Sequence, residues 1–421
     1  MPAHICIFED AQYDRLLPLV FTRPVYTLRC GIGSLQDKIT RRYPKASLSL
    51  HVRSYLAEYW RTRNPRVLVN DIRGDECLFI NGRVVAHAGL EKLVPLKSKG
   101  DIVYVQGETI VAANLSGANL KRLRDRLQKP LSLADFDGIP RRETEADMIS
   151  YPWDLVQRNG KQIERDFSDL MKAQKGKKIK GKIHKGVQVL NKSNIFIDEG
   201  AVIKPGTVLD AENGPIYIGK NVRVFPQATL IGPLYVGDGS SIKVGAQIYE
   251  NTTIGPMCKI GGEVEASIFH GYSNKQHAGF IGHSYIGAWV NLGAGTNNSD
   301  LKNNYGKVKV QIGNEQVDTG LQFVGLTMGD HSKSSINSMF NTGTVVGVSS
   351  NIFGNDFPAK FVPSFAWGAA GEKTSTYHVD RAIEVARRVM ARRKVDMTQA
   401  EEQLFRVIFD MTAAERKRRG M

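Results

Sequence analysis

The sequence predicts an α/β domain, then a left-handed parallel β-helix built on a hexapeptide repeat, then a short helical tail. The main observation lies between residues 218 and 260. Ile218, Val224, Leu230, Val236, Ile242, Ile248, Ile254 and Ile260 recur every six residues, and Gly follows directly at Gly219, Gly237, Gly255 and Gly261. A period of six is neither the 3.6 of a helix nor the 2 of a free strand. It fits a parallel β-helix, in which each hexad forms one flat side of a coil. The apolar residue points into the prism, and Gly permits the tight corner. Two further observations frame this stretch. Strand-like runs alternate with polar amphipathic segments over residues 1–150, and the hexads give way to helical spacing beyond Thr374. The expected organisation is an α/β domain over 1–170, a basic linker over 171–186, the β-helix over 187–373 and a helical tail over 374–421.

Composition narrows the function. The chain has 421 residues, 42% hydrophobic and 24% charged, as in a globular protein with room for a sizeable core. No apolar run is long enough to span a bilayer, so no membrane partner is expected. The opening MPAHICIFED lacks a basic n-region and a cleavage site. Cys6, Cys30, Cys77 and Cys258 are too scattered for a CxxC pair or a disulfide framework. A cytoplasmic location is the expectation. The net charge of +15 favours anionic partners. Much of the excess falls in solvated runs at 172–185 and 412–419, and no nucleic-acid motif accompanies it, so phosphorylated small molecules are expected and nucleic acid is not.

In the N-terminal part, strands are expected at His4–Phe8, Ser47–Val52, Arg66–Val69, Cys77–Ile80 and Ile102–Gln106. Such a βαβ sheet places ligands at the carboxyl ends of its strands. After the first strand come Arg15-Leu-Leu-Pro-Leu19 and Thr22-Arg23-Pro24. This arrangement resembles the sugar-1-phosphate nucleotidyltransferases, which open with a strand, a Gly-rich loop and an RLxPL segment. The whole TRPVYTLRCG run is similar to a GlmU-like group with a shortened N-terminal domain. The resemblance implies a nucleotidyltransferase-like domain that uses a nucleoside triphosphate, UTP, with Mg²⁺, and Arg15 and Arg23 as candidate phosphate clamps. Three positions depart from the pattern. Phe8–Asp14 replaces the Gly-rich loop, Val25 takes the catalytic Lys position, and Arg83 stands where the family's NGD motif has its metal-binding Asp. A cation cannot ligate Mg²⁺, so no metal ligand can be named.

The Lys- and Gly-rich stretch 171–186 reads as a linker. Less regular coils start near Val187 and Ile195–Val208, as at the capping end of a repeat array. The beat returns at Ile286 and Leu292, then at Ile336, Thr342 and Val348. In the tail, Asp380–Arg393 has helical spacing and Thr398-Gln-Ala-Glu401 signals a capping box. These helices are expected to cap the open end of the prism or dock on a neighbouring chain, with the terminal ERKRR solvated.

A β-helix is a scaffold, so chemistry is sought where its beat breaks, at 261–285 and 297–325. Four of the nine histidines fall here: His270, His277, His283 and His331. An imidazole suits removal of an amine proton during acyl transfer. The run Lys275-Gln-His277-Ala-Gly-Phe-Ile281-Gly282, followed by Asn291-Leu-Gly-Ala-Gly-Thr296, resembles the GlmU acetyltransferase domain. The resemblance implies His277 as catalytic base, Asn291, Asn304 and Tyr305 as sugar-phosphate contacts, Ala294 as a backbone contact to acetyl-CoA, and a homotrimer with acyl-CoA between neighbouring prisms. A family Lys falls on Glu265 and a family Tyr on Phe280, with Lys302, Lys307 or Lys333 as candidate replacements for the Lys. His331, in Gly329–Ser335, is a rival base.

The leading expectation is a bifunctional enzyme that acetylates an amino-sugar 1-phosphate and transfers a nucleotidyl group to the sugar phosphate. The alternatives are a single-activity enzyme and a non-catalytic trimeric scaffold. Arg83 favours acetyl transfer alone, whereas Glu265 and Phe280 favour nucleotidyl transfer alone.

Overall fold

The structure is a computed structural model that describes residues 4–174, 178–371 and 373–421. Its N-terminal sheet has seven strands: β1 (His4–Phe8), β2 (Ser47–Leu50), β3 (Leu68–Val69), β4 (Glu76–Asn81), β5 (Ile102–Gln106), β6 (Thr109–Ser116) and β7 (Arg141–Glu143), in the order β3-β2-β1-β4-β6-β5-β7. The five expected strands are present. The two others, β6 and β7, enlarge the sheet, and β6 runs antiparallel to β4 and β5. Alternation along β1 shows why the sheet is covered on both sides. Ile5 and Ile7 enter one core, whereas Cys6 and Phe8 enter another with Phe79, Leu120 and Phe136. Helices α1 (Leu35–Arg42), α2 (Ser54–Arg63), α3 (Leu90–Leu93) and α4 (Gly117–Arg124) complete the layer. Ser34 and Asp37 form a reciprocal capping box on α1. All four cysteines are buried and free.

The hexads form a parallel β-helix with three faces. The first is a nine-stranded sheet from Ile195–Ile197 to Phe361–Val362. The second begins at Lys182–Ile183 and reaches Asn274–Lys275, and bridges through Asn291 carry it to Lys333–Ser334 and onward. The third runs from Gln188–Leu190 to Phe280–Gly282. Each of the eight hexad residues from Ile218 to Ile260 is buried in the prism. Stacked coils bury what one coil alone leaves exposed.

Several expectations are corrected. Helix α5 (Pro152–Ala173) runs into the stretch taken for a linker, and the first coil strand at Lys182 also lies within it. Part of that linker, residues 175–177, lies outside the described residues. The stretch 261–285 does not leave the coil. Its sides shorten instead, with Val264, Phe269, Lys275 and Ile281 pointing inward. After 297–325, which does leave the prism as a loop with a hairpin (Lys309–Ile312 and Glu315–Asp318), the inward column is Ser334, Phe340, Val346 and Ile352. The register expected from Ile336 is therefore off by two, because the insertion resets the phase. Ile336 sits on an outer corner, 68% exposed.

The tail forms α6 (Val379–Ala391), α7 (Gln399–Met411) and α8 (Ala413–Arg418). These helices fold back into the angle between the β-helix and α2, and the terminal Met421 packs against the prism core. Ile383, Leu404 and Ile408 share one core with Leu56 of α2 and with Tyr285, Val348 and Phe365 of the coils. Thr398 caps α7 by accepting from the Glu401 amide at 3.2 Å. Arg416, in the run expected to be solvated, is buried and donates to Thr412 Oγ1 and the Phe409 carbonyl, both at 2.7 Å.

Helix α5 joins the N-terminal domain to the first face. Asn159 accepts from the Gly31 amide at 2.7 Å and donates to the Asn251 carbonyl at 2.7 Å. At Gly160 a Cβ would run into the Asn251 side chain, which explains Gly in the middle of a helix.

Candidate functional site

The sequence places His277 on a corner between the second and third faces, and Lys275 determines how that corner is held. Lys275 occupies an inward position paired with Ile260, 1% exposed, and its Nζ donates to the carbonyls of Gly261 (3.0 Å) and His277 (2.9 Å). Burial pushes its pKa down to about 8. The His277 side chain is exposed. Gly279 completes the turn at φ +116°, where a Cβ would meet the Thr296 carbonyl of the next coil.

One coil further on, Asn291 bridges Asn274 and Lys333 on the second face and accepts from Asn274 Nδ2 at 3.4 Å. Ala294 lies on the same edge as His277. Gly295 donates to the Ala278 carbonyl at 3.0 Å, and Asn337 donates to the Ala294 carbonyl at 2.7 Å. His277 and Ala294 thus fall on one edge of successive coils, whereas Asn291 lies on the adjoining second face, stacked on Asn274. Arg393, at the end of α6, reaches the same place by donating to Asn274 Oδ1 at 2.8 Å. Sequence reasoning missed it, and its only local signal is the basic run Arg392-Arg393-Lys394. Lys259 lies on this face too, and its pKa is lowered by burial and by Arg393 and Lys243. Lys333 Nζ donates to the His331 carbonyl at 2.7 Å, with burial holding it near a pKa of about 8. The edge is therefore cationic and rich in amides, suited to phosphate and sugar hydroxyl groups.

Other candidates lie elsewhere. Asn304 and Tyr305 are in the loop that leaves the coil after the third face. Asn304 lines a polar cleft with Lys302, Asn341 and Lys360, and Tyr305 is exposed. Within one chain they do not join His277. Glu265, in the position of the family Lys, has its pKa raised by burial, with the hydrogen-bonded pair of His283 and Asp300 (2.8 Å) close by.

In the N-terminal domain, Arg15 is exposed near Gln12 and Tyr151. Arg23 is not free to clamp a phosphate by itself. It forms an ion pair with Asp330 of the β-helix, which also accepts from Thr22 Oγ1 at 2.6 Å and from the Ala288 amide at 2.8 Å. The carboxyl end of β1 is filled by buried ion pairs. Arg53 Nε donates to Glu9 at 3.1 Å, and Arg83 Nε donates to Asp10 at 3.0 Å, with Asn81 donating to Asp10 at 2.9 Å. The carboxylate best placed to hold a cation is thus neutralised by a fully buried arginine. Among the described residues no group of three or more His, Cys, Asp or Glu side chains is arranged for a metal. The residues at the NGD position do not fit Mg²⁺.

His331, the rival base, lies on a different edge, between the first and second faces. There a column of left-handed corner residues (Met257, Tyr272, Trp289, His331, Ser349, Phe365) donates each amide to the preceding coil. Tyr272 stacks on Trp289, and His331 lies parallel to Trp289. Burial, with Lys333 and Arg23 nearby, holds the His331 pKa well below its ordinary value.

Residues 5–175 match the sugar nucleotidyl transferase family. Among curated proteins, the bifunctional protein GlmU of Methanococcus maripaludis is 29% identical over 236 residues, covering 55% of this chain and 49% of the relative. The chain is similar to bifunctional GlmU proteins over about half of its length. The bifunctional protein GlmU of Geotalea uraniireducens is 30% identical over 206 residues, covering 41% of this chain and 43% of the relative. The bifunctional sugar-1-phosphate nucleotidylyltransferase/acetyltransferase of Sulfurisphaera tokodaii is 27% identical over 237 residues, covering 53% and 51%. The chain therefore spans about half the length of the curated relatives it matches. Among its described residues no helix is long and apolar enough to cross a membrane.

Proposed function

We propose that this GlmU-like chain is a cytoplasmic bifunctional transferase of UDP-N-acetylglucosamine synthesis. It acetylates an amino-sugar 1-phosphate, glucosamine-1-phosphate, on its β-helix and transfers a nucleotidyl group from UTP to the sugar 1-phosphate in its N-terminal domain. The observation that carries the acetyl step is the His277 edge. An exposed imidazole has Asn291 and Ala294 on the next coil and Arg393, Lys259 and Lys333 on the adjoining face. Acetyl-CoA, as cosubstrate, supplies the acyl thioester. His277 takes the proton from the attacking amine as the N–C bond forms, and returns it to the sulfur as the C–S bond breaks. Asn291 holds sugar hydroxyl groups, and the cations replace the phosphate-binding Lys lost at Glu265.

A homotrimer fits this reading. Val244, 60% exposed, and Ile336 are apolar residues on the same edge as His277. A neighbouring prism against that edge would bring in a second chain, and with it the Asn304–Tyr305 loop. The nucleotidyl activity is supported by the family match; with Arg83 closing the NGD position, no metal-assisted step is derived there.

The test is thiol release from acetyl-CoA with glucosamine-1-phosphate. The parent protein should release thiol only with the acceptor, and His277→Ala should lower kcat by about 10²–10⁴. Equal rates in parent and variant would reject His277 as base, and pyrophosphate release from UTP reads the second activity separately.

A further inference from the structure

A partly open cavity of about 240 Å³ lies where the three parts of the chain meet, on the opposite edge of the second face from His277. It is bounded by the Thr22–Arg29 loop, by Tyr59 and Trp60 of α2, by the corner residues Tyr272, Trp289 and His331, and by Glu401 and Phe405 of α7. Seven of its 17 lining residues carry aromatic or imidazole rings. Tyr272 and Trp289 stack with centroids 4.2 Å apart, His331 lies 6.0 Å beyond, and Phe405 meets His331 edge-on at 5.0 Å.

Two polar atoms in these walls lack a hydrogen-bond partner. His331, 3% exposed, leaves its Nδ1 unpaired, and Trp60 leaves its indole Nε1 unpaired, both fully buried. Buried donors and acceptors are normally paired, and an orphan is costly unless a ligand answers it.

The charge is also incomplete. Arg23 is matched by Asp330, and Glu401 by Arg63 at 2.7 Å. Arg29 has only carbonyl acceptors, His270 at 2.9 Å and Ile32 at 3.5 Å, and forms no ion pair among the described residues. Burial lowers the pKa of His270 and His331 well below the ordinary imidazole value, with Arg23 adding to the effect. Arg29 therefore leaves the cavity with one unmatched positive charge.

We propose that this cavity binds a phosphorylated monosaccharide. The sugar ring lies against the aromatic faces, the phosphate meets Arg29, and ring or hydroxyl oxygens pair with Trp60 Nε1 and His331 Nδ1. Size favours this class. Pockets for drug-sized ligands span about 300–1,000 Å³, and this smaller one favours a monosaccharide phosphate over a nucleoside triphosphate or acyl-CoA. Because the walls come from the N-terminal domain, the coils and α7, an occupant ties all three together. The site is separate from the His277 edge and stands whether or not that edge transfers acetyl groups.

The experiment is a tryptophan-fluorescence titration of the full chain with glucosamine-1-phosphate, since Trp60 and Trp289 line the cavity. The parent should show a saturable change. Trp60→Phe, which keeps the ring and removes the N–H, should weaken binding about tenfold. Thr27→Leu should abolish it by filling the space, with circular dichroism confirming the fold of both variants. No saturable change up to millimolar ligand, or a saturable change indifferent to both cavity variants, would overturn the proposal. Equal affinity for inorganic phosphate would overturn the sugar part.

Discussion

Lys275 shows how much a single inward position can carry. Hexad logic expects an apolar residue there, yet the side chain is a lysine whose ammonium holds the His277 and Gly261 carbonyls. Its pKa falls from 10.5 to about 8 on burial. Between these values the unfolded chain binds more protons than the folded one, so this group's contribution to stability rises with pH from about 8 to 10.5 and is constant below 8. Lys275→Met should remove that rise. Urea denaturation at pH 7, 8.5 and 10 should show the parent gaining on the variant as pH climbs, and a constant difference would refute the account. Arg83 is the complementary case. A cation in a metal-ligand position was legible in the sequence, but its buried partner was not, because Asp10 is 73 residues away in the chain.

Among the elements, the coil was the most legible and its register the least secure. From Ile218 to Ile260 every expected inward residue is inward. Beyond the 297–325 loop the beat returned in a shifted phase, and a hydrophobic Ile336 was read as core although it is a corner residue. A period identifies the element, but its phase survives only while no residue is inserted. Ile336 is also the clearest test of the edge it occupies. Ile336→Glu should leave the fold intact and lower the oligomeric mass measured by light scattering, if that edge packs against a second prism. An unchanged mass would remove this edge from the interface. The left-handed corner column was not legible, because Met257, Tyr272, Trp289 and His331 are residue types that rarely adopt positive φ.

Across the whole molecule, the N-terminal domain and the coil are latched through Asp330. Arg23, Thr22 and the Ala288 amide all converge on its carboxylate. Asp330→Ala leaves a largely buried Arg23 without its counter-charge, and breaking such a pair costs about 3–5 kcal/mol. Urea denaturation should show a loss of this order, and limited proteolysis should cut between the domains sooner than in the parent. A loss below about 1 kcal/mol would show that the latch contributes little. The tail helices join the same assembly. Arg63 of α2 pairs with Glu401 of α7, and the shared core runs from the sheet through the coils to α7.

By itself, the sequence determined what repeats or lies close along the chain. The hexads specify a prism, the capping signals specify α7, and the His277-to-Asn291 spacing places the two on successive coils. Tertiary structure alone decided which long-range charges cancel. Arg23 meets Asp330 across 307 residues, and Arg83 meets Asp10, so two candidate ligand-binding cations became parts of the framework. It also decided where the tail went, and thereby supplied one wall of the cavity through Glu401, Leu404 and Phe405. Periodicity is a local property that a single chain displays, whereas pairing between distant segments depends on how separately folded surfaces meet.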